Sequence, residues 1–451
     1  MNEAQAQAQQ TEQTGENLEL SLVEAMAFAT RCHQVGNLDA AEQLYTAVLS
    51  GIPDHPDALH YLGVLTHQRG DSERGVELIE RAITHAPGNA GMYNNLGNVL
   101  YELDRFQDAA VAYGTALELS PEAGTLNNLG SALRMQGRID EAEAAYRRAL
   151  TLDAKHLDTH NNLGNLLGII GRIEEALEHF RAALELLPAH PEARRQLGVA
   201  LAALGRKAEA AAVYRSWLED EPNNAVAAHM LAANSGEDVP VRASNGYVEL
   251  VFDNFASSFD VKLAKLEYRA PELVRDALAE VAGTPAGSLV ALDAGCGTGL
   301  CGPLIEPYVS HLTGVDLSRG MLARARKRRL YDELVHAELG AYLESQSSRF
   351  DLIVSADTLI YFGDLVPAIS AAGRALRPGG LLILSVEQAS DEAAGDLGFV
   401  LNAHGRYSHS ERHLRRALDA AKLDLVKLGE GVLRREAGKP VAGYVVTARK
   451  G

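Results

Sequence analysis

The chain has 451 residues, too many for one ordinary core, with 47% apolar and 23% charged residues, the balance of a soluble globular protein of two or more domains. Its three cysteines, Cys32, Cys296 and Cys301, exclude a secreted disulfide framework, and without a C-x-x-C pair no metal site is expected. The net charge of −18 is one-sided: residues 1–240 hold 17 basic against 34 acidic side chains, the remainder 25 against 26. The acidic half repels phosphate backbones, so nucleic acid is a poor partner and a neutral or basic polypeptide a better one.

Residues 1–20, "MNEAQAQAQQTEQTGENLEL", have no basic start and no apolar run; they read as a disordered lead-in rather than a signal peptide. No stretch approaches the roughly 18–20 apolar residues of a membrane span, so the expected location is cytoplasmic, with no membrane partner.

Residues 21–235 repeat. A Leu-Gly pair recurs at Leu62-Gly63, Leu96-Gly97, Leu129-Gly130, Leu163-Gly164 and Leu197-Gly198. Twelve residues after each glycine stands a small residue (Gly75, Ala109, Ala142, Ala176, Ala210), and four further on a large one (Ile79, Tyr113, Tyr146, Phe180, Tyr214). Proline closes most units (Pro87, Pro121, Pro188, Pro222), and a weaker first unit keeps Phe28, Ala41, Tyr45 and Pro53. The pattern resembles the tetratricopeptide repeat, a helix–turn–helix unit that must stack on its neighbours to bury its apolar face. About six repeats and a capping helix near 226–233 fit this span. The resemblance implies a concave groove lined by Asn94, Asn98, Asn127, Asn161 and Asn165. A second row, Asn95, Asn128 and Asn162, is similar to the asparagine ladder in the repeats of O-GlcNAc transferase. Regularly spaced amides can bond an extended peptide backbone, so the implied partner is a protein or peptide. A rigid spacer or a self-associating surface is the other reading, which leaves a homo-oligomer open.

Residues 236–246 are polar and punctuated by glycine and proline, a linker. From 247 to 451 the pattern becomes strands alternating with helices: "SLVALDAG", "HLTGVDLS", "FDLIVSAD" and "GLLILSVE" are short apolar runs separated by helical stretches. That alternation predicts a doubly wound sheet with its ligand at the carboxyl ends of the strands.

The first run delivers "LDAGCGTGLCG", with Asp293, Gly295, Gly297 and Gly299; position 300 is leucine, which breaks the dinucleotide G-x-G-x-x-G fingerprint. The second ends in Asp316. This set resembles the class I S-adenosylmethionine-dependent methyltransferases over about 200 residues. The fold class expected for the chain is therefore an N-terminal all-α tetratricopeptide superhelix followed by a C-terminal α/β Rossmann-like methyltransferase domain. By that resemblance Gly295, Gly297 and Gly299 pack against the methionine and ribose, Asp293 acts through the ammonium, Asp316 holds the ribose hydroxyls, and Glu338 faces the adenine amine between Leu317 and Leu339. Phe255, Phe259 and Tyr268 are candidates for a lid or for core aromatics.

Methyl transfer needs an aligned acceptor, and a base only if the acceptor must lose a proton. Asp357 and Tyr361 follow the fourth strand and Glu387 ends the fifth. His409 lies in "GRYSHSE", where Ser408 and Glu411 predict a capping box. Asp357, Tyr361 and His409 are the catalytic candidates. The acceptor reads as a protein or peptide presented by the groove, or as a small-molecule or carrier-bound biosynthetic intermediate with the repeats used for assembly.

Overall fold

The computed structural model describes residues 21–256, 259–436 and 438–451, the side chains of Asn254 and Phe255 excepted. The lead-in at 1–20 and the Phe255 side chain therefore lie outside the described residues. The chain separates into two compact units, Met1–Leu166 and Leu167–Gly451.

In the first unit, helices of 13 and 14 residues alternate: Leu22–Gln34 with Leu38–Gly51, Pro56–Gln68 with Ser72–His85, Ala90–Glu102 with Phe106–Leu119, Ala123–Met135 with Ile139–Leu152. Local chemistry starts several of them. The Asn37 and Asp71 side chains accept an amide two residues into the helix that follows, and His55 does the same through Nδ1 ahead of Pro56. The repeat signature has a direct packing cause. A Cβ on Gly97 would stand 2.5 Å from the Tyr113 ring, and one on Gly130 2.7 Å from the Tyr146 ring. Each ring lies on the bare glycine of the facing helix, so the pair meets at backbone distance.

The second unit opens with helices Ile173–Leu186, Pro191–Ala203, Lys207–Asp220 and Ala225–Ser235. The last is the capping helix, and it ends at Gly236 in the left-handed conformation. Residues expected to form a free linker are held: Ala243 donates to the Tyr361 carbonyl and Gly363 to that of Val241, both at 2.8 Å.

Helices Asn245–Phe255, Phe259–Lys265 and Ala270–Ala282 lead into the sheet. Its strands are β1 (Leu289–Ala294), β2 (Val309–Asp316), β3 (Glu333–His336), β4 (Phe350–Ser355), β5 (Leu376–Gln388), β6 (Phe399–Leu401), β7 (Tyr407–His409), β8 (Leu423–Glu436) and β9 (Lys439–Lys450). The order runs β3-β2-β1-β4-β5, parallel throughout. Antiparallel β9 follows along β5 with β8 outside it, and the β6–β7 hairpin joins the carboxyl end of β5. Strand residues alternate between two cores: Leu352 and Val354 face one, Ile353 the other. That double burial is why these strands read as continuous apolar runs. The order reverses between β1 and β4, the place where such sheets take ligands.

One expected cap is displaced. The helix Glu411–Ala421 is capped by Ser410, whose hydroxyl accepts from the His413 amide, while Ser408 and His409 belong to β7.

Two glycines give opposite signs. Gly130→Ala drives a methyl into Tyr146 and is expected to cost about 1–3 kcal/mol. Gly114→Ala, with nothing within 4 Å of its added Cβ, is expected to gain about 0.5–1 kcal/mol of helix propensity. Urea denaturation of the two variants checks both.

Candidate active site

β1 delivers Asp293 and then turns away through Gly295, Gly297 and Gly299, at φ of 78°, 54° and 87°. The three glycines are needed for different reasons. A Cβ at Gly295 would collide with Thr358 at 2.2 Å, and one at Gly299 would meet Tyr331 at 2.9 Å. At Gly297 nothing lies within 4 Å of that position, so the loop presents bare backbone to open space there.

The acids surround this loop. Asp316, at the end of β2, accepts from the amides of Gly297 and Ser318, both at 2.8 Å. Burial raises its pKa and those amides oppose the rise. Asp293 is 1% exposed. Burial pushes it up to about 7, against the Tyr331 hydroxyl that donates to it at 2.7 Å. Glu338 caps the helix Leu339–Glu344, accepting from Gly340 and Ala341 at 2.9 and 2.8 Å, and pairs with Arg242 at 2.9 Å.

These groups open on one cavity of about 500 Å³, the size of a small-ligand site. Asp293, Gly295, Gly297, Asp316, Leu317, Glu338, Leu339, Phe259 and Tyr268 all line it. Gly299 is not in that lining, since its open face is taken by Tyr331.

Beyond the loop the wall is ionic. Arg434 of β8, 4% exposed, donates to Asp357 and to Glu436 at 2.7 Å each, and pairs with Glu387. Arg406 joins from the loop before β7, donating to Glu387 at 2.7 Å and to Glu436 at 2.5 Å. Glu436, which burial alone would raise, is held down to about 2 by the two guanidiniums. Asp357 sits at φ 54°, a strained backbone for a non-glycine residue, and bonds Ser385 as well as Arg434. Burial pushes its pKa up while Arg434 pulls the other way.

Tyr361 lines the same wall, its ring edge-on to Phe252 at 5.3 Å. His409 does not reach it. That residue is fully buried in β7, with Nε2 donating to the Phe362 carbonyl at 2.7 Å, and burial drops its pKa to about 4. The histidine on the cavity is His404, five residues earlier.

Arg195, Val199, Val226 and Met230, from the last helices of the repeat pattern, line the far end of this cavity. Val199, Tyr331, Arg406 and Arg434 did not stand out in the sequence; for Arg434 the one local signal was its pairing with Arg435 in "LRRE".

In the first unit, Asn98, Asn127, Asn128, Asn161 and Asn162 line a concavity of about 410 Å³ with Tyr101 and Ser131. The ladder is partly spent within the array: Asn128 donates to Asn94 and Asn98 at 3.3 and 3.2 Å, and Asn162 to Asn127 at 2.9 Å. Asn95 donates to His60 at 2.9 Å rather than into this concavity. The buried Oδ1 of Asn161 has no partner among the described residues. Asn94 and Asn165 are likewise outside the lining of the concavity.

A parallel sheet that reverses between β1 and β4, with this glycine loop and these strand-end acids, defines a Rossmann-like methyltransferase. Comparison with known proteins agrees. A family model described as "Methyltransferase domain" matches residues 292–384, and tetratricopeptide repeat models match 34–90, 88–155, 121–189 and 161–225. Methyltransferase-like protein 27 of Homo sapiens is 34% identical over 172 residues, covering 36% of this chain and 70% of that protein. Malonyl-[acyl-carrier protein] O-methyltransferase of Enterobacter lignolyticus is 34% identical over 131 residues, 29% of this chain and 51% of that one. A solved structure of Pseudomonas aeruginosa pilF is 18% identical over 46% of this chain and 95% of its own, with a TM-score of 0.42. The chain belongs to the class I methyltransferases that carry tetratricopeptide repeats.

Asp293 gives a pH prediction. Its folded pKa lies above its ordinary value of 3.8, so the native state favours the proton, and the group's stability contribution is lost as pH rises toward about 7. Asp293→Asn removes that dependence. The melting temperature of the variant is expected to gain on wild type from about pH 4 to about pH 7, with a constant difference above; differential scanning calorimetry across that range checks it.

Proposed function

We propose that this protein transfers a methyl group from S-adenosylmethionine to an acceptor carried on a protein or peptide that the repeats hold, with only the group to be methylated entering the cavity. One observation carries the reading: the cavity that begins at the glycine loop ends on helices 191–203 and 225–235, so repeat-pattern helices are part of the reaction chamber. A bound macromolecular acceptor would gain the effective concentration of any tethered second site.

The residues fit the cofactor. The open face at Gly297 leaves room for a ligand against the loop backbone, where a side chain would fill the space. Asp316 is fixed by two amides and still lines the cavity, as a carboxylate that accepts ribose hydroxyls should. Leu317 and Leu339 supply apolar surface for adenine, and Glu338 an acceptor beside it. Asp293 offers a buried carboxyl to the ammonium group, a cation that would favour its ionised form.

When bound, S-adenosylmethionine supplies an electrophilic methyl on a sulfonium; the methyl bonds to the acceptor lone pair while the carbon–sulfur pair leaves on sulfur as a neutral thioether. No protein group has to protonate the leaving atom. The chain's own task is alignment and exclusion of water.

Small, free acceptors are the second reading, favoured by the confined apolar walls at Val248, Val251, Phe252 and Ile360. The two readings separate by labelling. Full-length protein is incubated with radiolabelled S-adenosylmethionine and cytosol from the source cell, beside a variant with Asn128, Asn161 and Asn162 all changed to Ala. Label in a polypeptide band, reduced about tenfold or more in the variant with cofactor affinity unchanged, is the expected result. Label confined to small molecules and equal in both would contradict the polypeptide acceptor.

Cofactor binding itself should follow pH. Asp293 must lose its proton to face an ammonium group, so affinity for S-adenosylhomocysteine is expected to rise as pH passes upward through about 7. Calorimetric titration checks this, and Asp293→Asn should flatten the profile.

A further inference from the structure

We infer that the capping helix Ala225–Ser235 is a working part of the acceptor site: His229 is a positioning residue for the loop that bears His404 and Arg406, and Val226 and Met230 form the wall an apolar portion of the acceptor meets. The inference rests on the acceptor reading above and adds which residues shape that end of the chamber.

The loop between β6 and β7 is a turn closed by Asn402, whose amide donates to the Arg406 carbonyl at 2.9 Å and whose carbonyl accepts from Gly405 at 2.8 Å. The capping helix and the segment after it add the contacts that fix this turn to the rest of the unit. The His229 ring, 4% exposed, donates from Nε2 to the Gly405 carbonyl at 2.8 Å. Asn234 donates to the Ala403 carbonyl at 3.3 Å, and the Tyr407 hydroxyl to that of Pro240 at 2.7 Å. Tyr247 stacks on His229 with 4.0 Å between ring centroids, and its hydroxyl closes over Gly405. Gly405 has φ 88°, and a Cβ there would lie 2.5 Å from that hydroxyl, so the residue must be glycine on both counts.

What the loop carries matters to the site. Arg406 reaches Glu387 and Glu436, which Arg434 shares, and Arg434 in turn holds Asp357. A continuous chain of polar contacts thus runs from the capping helix to the acid after β4. The same helix turns Val226 and Met230 into the cavity, beside Val199 of the preceding repeat. His229 itself does not line the cavity. Its Nδ1 is buried with no partner among the described residues, so the ring's described hydrogen bonding goes to the loop.

The test uses full-length protein and two kinds of variant. His229→Leu removes the donor to Gly405; His229→Gln keeps an N–H able to reach it. Val199→Phe narrows the cavity without touching the loop. Two quantities are read: affinity for S-adenosylhomocysteine by calorimetry, and transfer of label from S-adenosylmethionine into cytosolic acceptor at varied cytosol concentration.

The expected result is a fall in transfer of about tenfold or more for His229→Leu. His229→Gln should recover much of it, and Val199→Phe should raise the half-saturating acceptor concentration. Cofactor affinity should stay within about twofold in all three. Equal transfer by wild type and variants, with cofactor binding intact, would overturn the inference alone. Loss of cofactor binding in parallel with transfer would also overturn it, since the helix would then support the whole fold rather than the acceptor end. If wild type binds cofactor yet labels nothing, the acceptor reading falls and this inference with it.

Discussion

Arg434 holds three carboxylates, two of them, Asp357 and Glu387, nearly shut off from water. Asp357 comes from the turn after β4, Glu387 from β5 and Glu436 from the end of Arg434's own strand, and Arg406 is the second cation. Taking such groups out of water costs several kcal/mol per ion unless every charge finds a partner. The cluster satisfies that condition only with β8, β5 and the β6–β7 loop all in place. The wall of the chamber therefore forms as a unit. The strained backbone at Asp357 persists because its carboxylate is fixed from two sides.

The glycine loop works by the opposite principle. There the chain offers backbone and space: Gly297 leaves a face uncovered, while Gly295 and Gly299 let Thr358 and Tyr331 press close. Tyr331 then reaches Asp293 and donates to this buried acid. One wall of the cavity is thus built from absent side chains and another from neutralised charge, with apolar residues completing the lining.

Periodic features were legible in the sequence. The 34-residue spacing located the repeats because each copy solves the same packing problem, a ring against a glycine. Continuous apolar runs located β1, β2, β4 and β5 because both faces of those strands are buried. The loop glycines and Asp293, Asp316 and Glu338 were readable because they sit at strand ends, fixed by local geometry. Residues recruited from far along the chain were not. Arg434 meets Asp357 across 77 positions and His229 meets Gly405 across 176, and no local pattern marks either partner. His409, a catalytic candidate in the sequence, is the last residue of β7, and its ring turns inward to Phe362.

The most direct measurement is a crystal structure of the full-length protein with S-adenosylhomocysteine. The expected result has the ribose hydroxyls on the Asp316 carboxylate, the ligand backbone against Gly297, and the sulfur turned toward Asp357 and Tyr361. The remaining space should be bounded by Val226 and Met230. A ligand seated away from the Gly295–Gly299 loop, or a chamber that closes before it reaches the capping helix, would contradict the shared cavity on which both the fold and the proposed chemistry turn.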